Sequence, residues 1–421
     1  MTEPAPRDPS GLAARKAALD LLSAALSRRA GLDEGLSTPA LAGLPARDRA
    51  FARALAMATL RHLGPIEAAL AARLRSPPPE RVMQALRLGA AQLFVLKTPP
   101  HAAVAATVAL APTALRALVN AVLRGLAREP PDLFDPDRLA PDWLYARWRA
   151  AYGEAEARAI AALIAEEPPT DLSLRPGATS DDLQGETLPG GTFRAAMGGD
   201  LTGWPGFAEG RWWVQDASAA VVARLLDPAP GGAALDLCAA PGGKTLQLAA
   251  TGARVTAVDR SAARLRRVTE NLARIGLSAE LVAADAAAWP DERRFQAVLL
   301  DAPCSATGTF RRHPDVLWAA RPPEIGKLAQ VQARLLDAAA RRVEPGGRLV
   351  YCVCSLEPEE GEGQTEAFLA RAPGFRLEPV APGEGGAPQA SLRADGALRI
   401  LPHHRPGGTD GFYIARFRRA P

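Results

Sequence analysis

Cysteine is scarce, with four in 421 residues. That is too few for the disulfide framework of a secreted domain. A reducing, cytoplasmic setting is the expectation, one in which thiols stay free to react. Successive cysteines are 66, 48 and 2 residues apart, unlike the paired ligands of a structural zinc site. The five histidines (His62, His101, His313, His403 and His404) show no ligand spacing either, so no metal is expected. No stretch of about 18 strongly apolar residues occurs. The least charged run, Thr98–Leu115, is broken by Pro99, Pro100 and Pro112, and no membrane span is expected. Residues 1–10 have no apolar core behind a basic end, so no secretory signal is expected. Lysine is nearly missing: Lys16, Lys97, Lys244 and Lys327 leave 46 basic positions to arginine. What remains, 48% hydrophobic and 23% charged, is the composition of a folded protein. The length suggests two or three domains.

The charge is unevenly spread. Residues 1–130 carry 17 Lys and Arg against 9 Asp and Glu, whereas the remainder carries 33 against 37. A basic front beside a slightly acidic body points to a polyanionic partner for the front. Arginine suits RNA, since its planar fork pairs with phosphate and stacks on bases. Residues 8–128 repeat apolar positions at helical spacing, with Pro-rich breaks at 76–79 and 98–100, which predicts a helical bundle over 1–132. A small α+β linker follows over 133–212, with a strand at Asp171–Arg175. From residue 213 to 421, short apolar runs (Ala233–Leu237, Arg254–Val258, Glu280–Ala283, Ala297–Leu300, Arg348–Val353) alternate with amphipathic stretches such as Ala262–Ile275. That alternation predicts an α/β fold with a doubly wound, Rossmann-like sheet, with 411–417 as a closing edge strand.

The first of these strands runs into Cys238-Ala239-Ala240-Pro241-Gly242-Gly243-Lys244, which opens a helix. Glycines at such a turn let a ligand approach the backbone, and the helix start offers free N–H groups. The spacing is neither that of a P-loop nor that of a dinucleotide fingerprint. Asp259 lies 23 residues beyond Asp236, placed to accept from ribose hydroxyls at the next strand's end. Asp285 follows a third strand, near the expected adenine. A glycine turn with acids and no phosphate grip fits S-adenosylmethionine, a nucleoside bearing a sulfonium.

Two further strands end in cysteine. Asp301-Ala-Pro-Cys304 puts an acid and a thiol at the carboxyl edge, where ligands bind in such sheets, and Pro303 stops the ladder. Tyr351-Cys-Val-Cys354-Ser ends the next strand. Only one of Cys352 and Cys354 is expected to face the site, the other pointing away; Cys354, nearer the tip, is assigned.

Cys238–Lys244, Asp301-Ala-Pro-Cys-Ser-Ala-Thr-Gly308, Arg312-His-Pro-Asp315, Cys354-Ser-Leu-Glu-Pro-Glu-Glu360 and Val214-Gln-Asp-Ala-Ser218 resemble the motifs of the Sun/nucleolar-protein family of RNA cytosine-5 methyltransferases. Pro100-His-Ala-Ala-Val104 and Leu118-Val-Asn-Ala-Val-Leu-Arg124 resemble the helical module shared with the antiterminator NusB. This pairing is similar to that of bacterial enzymes acting on small-subunit ribosomal RNA. The resemblance implies Cys354 as nucleophile, Cys304 as helper of product release and Asp301 near the cytosine N3. The residues 238–244 with Asp259, Asp285 and Asp301 would hold the cofactor. One departure is Val353, where the family usually has threonine.

The chemistry is consistent with those roles. A thiolate adding to C6 makes C5 nucleophilic towards a sulfonium methyl, and the base must be unstacked to be reached. Phe310, Arg311, Arg312 and His313 are expected to touch RNA by stacking and phosphate contact. The chain is expected to act as a monomer on RNA, most simply 16S ribosomal RNA. The alternatives are transfer RNA or 23S ribosomal RNA as substrate, and a non-catalytic RNA-binding assembly factor.

Overall fold

The computed structural model describes residues 11–27, 32 and 38–421; the amino-terminal ten, where no secretory signal is expected, lie outside them. The chain divides into two compact units. One comprises the residues up to Glu167 together with Phe310–Ala319, the other Pro168–Thr309 together with Ala320–Pro421.

The first unit is helical, as its periodicity predicts. Its longer helices are Leu12–Ser27, Ala46–Arg61, Leu63–Ala71, Glu80–Phe94, Pro100–Leu110, Arg116–Arg128, Asp142–Tyr152 and Glu154–Ala162. Prolines 45, 79, 99 and 141 stand immediately before helices. There a fixed φ near −65° leads into the helix and disturbs none of its hydrogen bonds. Leu22, Leu55, Leu60, Leu86 and Leu123 are fully buried in its core. The late segment Phe310–Ala319 belongs to this core and corrects an expectation. Phe310 and Arg311 are fully buried, the Phe310 ring lying 5.9 Å from that of Trp148. The Arg311 carbonyl accepts from Arg61 Nη2 at 2.5 Å, Asp315 Oδ2 from the Leu32 N–H at 3.0 Å, and Trp318 Nε1 donates to the Leu60 carbonyl at 3.1 Å. A side chain without exposed surface cannot stack on an RNA base, so Phe310 and Arg311 do not form the contact surface expected of them. Apolar burial of Phe310 and Leu317 outweighs the polar look of Arg-Arg-His-Pro-Asp.

The second unit holds two sheets. The strands β1 (Thr170–Leu174), β2 (Gly185–Thr187), β3 (Phe193–Ala195) and β4 (Trp212–Val214) form an antiparallel sheet in the order β2-β3-β1-β4. Inside it, Arg194 meets Asp171 with two parallel bonds of 2.8 and 2.9 Å.

The larger sheet comprises β5 (Ala233–Leu237), β6 (Arg254–Asp259), β7 (Glu280–Ala283), β8 (Phe295–Asp301), β9 (Val343–Val353), β10 (Phe375–Leu377), β11 (Leu398–Ile400) and β12 (Phe412–Arg419). Its order is β10-β12-β9-β8-β5-β6-β7, with β11 pairing β12. Strands β5 to β9 are parallel. The chain winds outwards from β5 through β6 and β7, then returns to the other side of β5 with β8. The switch point between β5 and β8 is where a doubly wound sheet opens a crevice. The helix Ala262–Ile275 shows how sequence sets such an element. Ser261 accepts from the Arg264 N–H, Gly276 ends it at φ +73°, and Leu265, Val268, Leu272 and Ile275 bury one stripe. One expectation fails at the far end: β12 is no edge strand. It runs antiparallel to β9 and is flanked on its other side by β10 and β11. Among the described residues no helix is long and apolar enough to cross a membrane.

Candidate active site

The turn leaving β5 is built by its backbone. Cys238 takes φ +63°, the Ala239 N–H bonds the Val258 carbonyl at 3.1 Å, and the Gly242 N–H bonds the Ala239 carbonyl at 2.9 Å. Gly242, at φ +104°, precedes the helix Gly243–Ala250. A Cβ there would lie 3.0 Å from Val268 Cγ1, so the positive φ favours glycine and any side chain would crowd Val268. Asp259, at the tip of β6, braces this turn: Oδ2 accepts from the Ala240 N–H at 3.1 Å and Oδ1 from the Ser261 N–H at 2.9 Å. Arg264 closes it from the neighbouring helix, its Nη2 donating to the Ala240 carbonyl at 2.5 Å; the sequence reading did not single out Arg264. Beneath, Asp236 is fully buried, with Oδ2 accepting from Thr245 Oγ1 at 2.6 Å. Its Oδ1 finds no partner among the described residues, and burial pushes its carboxyl up to about 7. Asp285 stands apart. It is exposed, two residues past β7, with its carboxylate capping its own turn at the Ala287 N–H (2.9 Å).

Lys244 leaves the turn and reaches Asp301 at the end of β8, Nζ to Oδ2 2.7 Å. Burial alone would lower the lysine's proton affinity; the Asp301 carboxylate more than reverses this, and the ammonium is held. With its lysine so occupied, the glycine turn offers backbone N–H groups and an acid but, among the described residues, no free cation. That suits a nucleoside sulfonium and not a polyphosphate.

The two thiols converge. Cys304 Sγ and Cys354 Sγ lie 3.5 Å apart, on loops from β8 and β9. The loops are stitched by the Ala302 N–H to the Cys352 carbonyl and the Gly308 N–H to the Cys354 carbonyl, both 3.0 Å. Gly308 must be glycine, since a Cβ would sit 2.2 Å from the Gly411 carbonyl oxygen. The hydrogen bond to Cys354, then burial, pushes the Cys304 thiol well up. Either sulfur can donate in the contact between them. Cys352 does not point away. Residues two apart share a face of a strand, and its Sγ donates to Asp301 Oδ1 at 3.3 Å. Burial, then Asp301, raises that thiol too. Cys238 is likewise pushed up to about 12 by burial. Val353 is fully buried in the core packed on the opposite face, beside Tyr351 and Phe368, so a hydroxyl there would not meet Cys354. The hydroxyls of Ser305 and Ser355 beside the thiols both donate to the buried carboxylate of Glu360, and the Thr307 hydroxyl lies 3.4 Å from that of Ser355. The sequence reading quotes Glu360 as the end of the Cys354–Glu360 motif but gives it no role.

A doubly wound sheet with a glycine turn after its first strand, and reactive side chains on the next tips, defines a methyltransferase of the Rossmann-like class. Residues 223–418 match the 16S rRNA methyltransferase RsmB/F family, and residues 12–128 the NusB family. The chain is 41% identical to the ribosomal RNA small subunit methyltransferase B of Pseudomonas syringae pv. tomato, over 96% of each chain. It is 42% identical to the protein of the same description from Xylella fastidiosa, over 91% of this chain and 96% of the relative. The crystal structure of PH0851 superimposes with a TM-score of 0.78 over 98% of this chain and 99% of that one, at 24% identity. A methyltransferase homolog protein from Pyrococcus horikoshii gives a TM-score of 0.56 over 66% and 95%, at 28% identity. The chain belongs to the RsmB/F family of 16S rRNA methyltransferases.

Proposed function

We propose that this chain moves the methyl group of S-adenosylmethionine to C5 of a cytosine in 16S ribosomal RNA, working as a cytoplasmic monomer through a covalent Cys354–C6 adduct. The observation that supports it most is the 3.5 Å approach of the Cys304 and Cys354 sulfurs, beside the Lys244–Asp301 pair. The modules proposed for the work are 1–132 for gripping RNA through its arginines, 133–212 as linker, and 213–421 for catalysis. Residues 238–244 with Asp259, Asp285 and Asp301 are the proposed cofactor contacts.

When bound, the cofactor supplies a methyl group on a positively charged sulfur, ready for a carbon nucleophile. Cys354 makes that nucleophile. Its thiolate bonds to C6, and the C5–C6 π electrons move to C5. Asp301, carrying a proton at this step, donates a hydrogen bond to N3, where negative charge builds as the adduct forms. Once C5 carries the methyl group, it still holds its original hydrogen. A water oriented by Cys304, or Cys304 itself once its own S–H proton has passed to solvent, removes that proton, the electrons of the C5–H bond re-form the C5–C6 double bond, and the C6–sulfur bond breaks to return the Cys354 thiolate. One methyl group has replaced one hydrogen, and one proton is released.

Bisulfite mapping of ribosomal and transfer RNA, with and without the protein, tests the reading. Protection of one or a few small-subunit cytosines is expected. Protection only in transfer RNA or 23S RNA would move the substrate, and no protected cytosine anywhere would remove the chemistry.

A further inference from the structure

The two sulfurs belong to loops of different strands, so their spacing has to be set by something that touches both. Ser305 follows Cys304 and Ser355 follows Cys354, and a single side chain binds them together. Glu360 is fully buried. Its Oε1 accepts from the Ser305 N–H at 2.9 Å and from Gln332 Nε2 at 3.0 Å. Its Oε2 accepts from the hydroxyls of Ser305 and Ser355, each at 2.5 Å. The same Gln332 nitrogen donates to the Pro303 carbonyl at 2.9 Å, so the residues on both sides of Cys304 are tied to one carboxylate.

Glu360 is itself anchored. Its carbonyl accepts from the Tyr351 hydroxyl at 2.5 Å and its N–H bonds the Glu357 carbonyl at 3.1 Å. Arg399 Nη1 holds the Ser355 carbonyl at 2.5 Å. Among the described residues no ion pair reaches the Glu360 carboxylate, whose charge is met by hydrogen bonds alone. A buried carboxylate is costly to hold unless every lone pair is used. Here its bonds go to Gln332 and to the two residues that follow the thiols.

We propose that Glu360 is the positioning residue of the two-thiol site: by fastening Ser305 to Ser355 it keeps Cys304 within reach of a base bound to Cys354, and so serves adduct release and not cofactor binding. This rests on the two-thiol reading above. With the clamp gone, Cys354 can still add to C6 and the methyl group can still arrive. The C5 proton then waits for a displaced Cys304, and the C6–sulfur bond stays closed.

The test uses the full chain, unmodified small-subunit ribosomal RNA transcript and S-adenosylmethionine. Glu360→Ala is expected to lower turnover about a hundredfold, the usual cost of misplacing a reacting group by about 1 Å. A covalent protein–RNA band should persist on a denaturing gel, with cofactor affinity by calorimetry within about twofold of wild type. Glu360→Gln keeps an acceptor for the Ser305 N–H and Gln332, and its amide can bond the serine hydroxyls. It should recover turnover to within about tenfold and lose most of the band. Should Glu360→Ala fail to fold, Ser355→Ala cuts a single strut and is expected to show a weaker band. Turnover near wild type, loss of turnover without a band, or a parallel loss of cofactor affinity would each overturn the assignment. Cys304→Ala runs on the same gel. A band there but none from the Glu360 or Ser355 variants sinks this inference alone; no band from Cys304→Ala sinks the two-thiol reading and this inference with it.

Discussion

The two halves of the site are held by different kinds of bond. The turn from Cys238 to Lys244 owes its shape to main chain: positive φ at Cys238 and Gly242, N–H groups on the Val258 and Ala239 carbonyls, and one carboxylate, Asp259, on the Ala240 N–H. The thiol loops owe theirs to side chains. Serine hydroxyls, Gln332 and Glu360 hold Cys304 beside Cys354. A surface that receives a nucleoside by its backbone needs space above the chain, which glycine supplies. A pair of reacting atoms needs fixed separation, which a satisfied polar network supplies. The two halves should therefore fail differently.

The sharpest separation comes from Cys354→Ala. Turnover is expected to fall about 10⁴-fold or more, as for loss of a nucleophile, while calorimetry still records cofactor binding. Retained methylation would erase the distinction by showing that the thiol side is not where the bond forms. Gly242→Ala probes the other half. Its Cβ would press on Val268 in a conformation costing about 1–3 kcal/mol for a side-chain-bearing residue. Cofactor affinity should drop roughly tenfold or more, with catalysis recovering at saturating cofactor. If kcat collapsed instead, the turn would be part of the reacting machinery and the comparison would break.

Asp236 gives a pH test of the buried floor under the turn. Its carboxyl is raised to about 7 in the folded chain from the ordinary range near 4, so the folded state binds a proton that the unfolded chain has already released. Its favourable contribution is full below that ordinary range and is lost as pH rises towards 7, at up to about 1.4 kcal/mol per unit. Asparagine does not titrate. Thermal melts should therefore show Asp236→Asn gaining on wild type from pH 5 to pH 7 and levelling above it. A constant gap would mean that Asp236 stays ionised throughout.

Much of the scaffold was legible in the chain. Ala233–Leu237, Ala262–Ile275 and Glu280–Ala283 emerge with the bounds their periodicity gives, because each is a local pattern with a local stop. The site was legible where motif and topology coincide: a strand that ends in Asp-Ala-Pro-Cys has to present its acid and thiol at the sheet's edge. What was not legible depends on distant partners. Nothing near Phe310 announces that it packs on Trp148, since 162 residues separate them in the chain. Glu360 ends a motif already visible in the chain, but its partners Ser305 and Gln332 are 55 and 28 residues away. The 411–417 run alternates as an edge strand would, and β10 and β11, which pair with it from 375–377 and 398–400, make it internal.

Asp285 offers the smallest effect and the finest cut. Of the three strand-end acids of the cofactor half, Asp236 is sealed and Asp259 braces the turn, but Asp285 is exposed and its carboxylate caps its own turn at the Ala287 N–H. An exposed carboxylate pays little to meet a ligand and gains little, because water competes for every bond. Asp285→Ala should weaken cofactor binding about two- to fivefold by calorimetry, and Asp285→Asn, which still caps the turn, by less. A tenfold loss from alanine would give a side chain the role here assigned to the backbone on that half of the site. An unchanged affinity would leave Gly242 and Asp259 to hold the nucleoside without it.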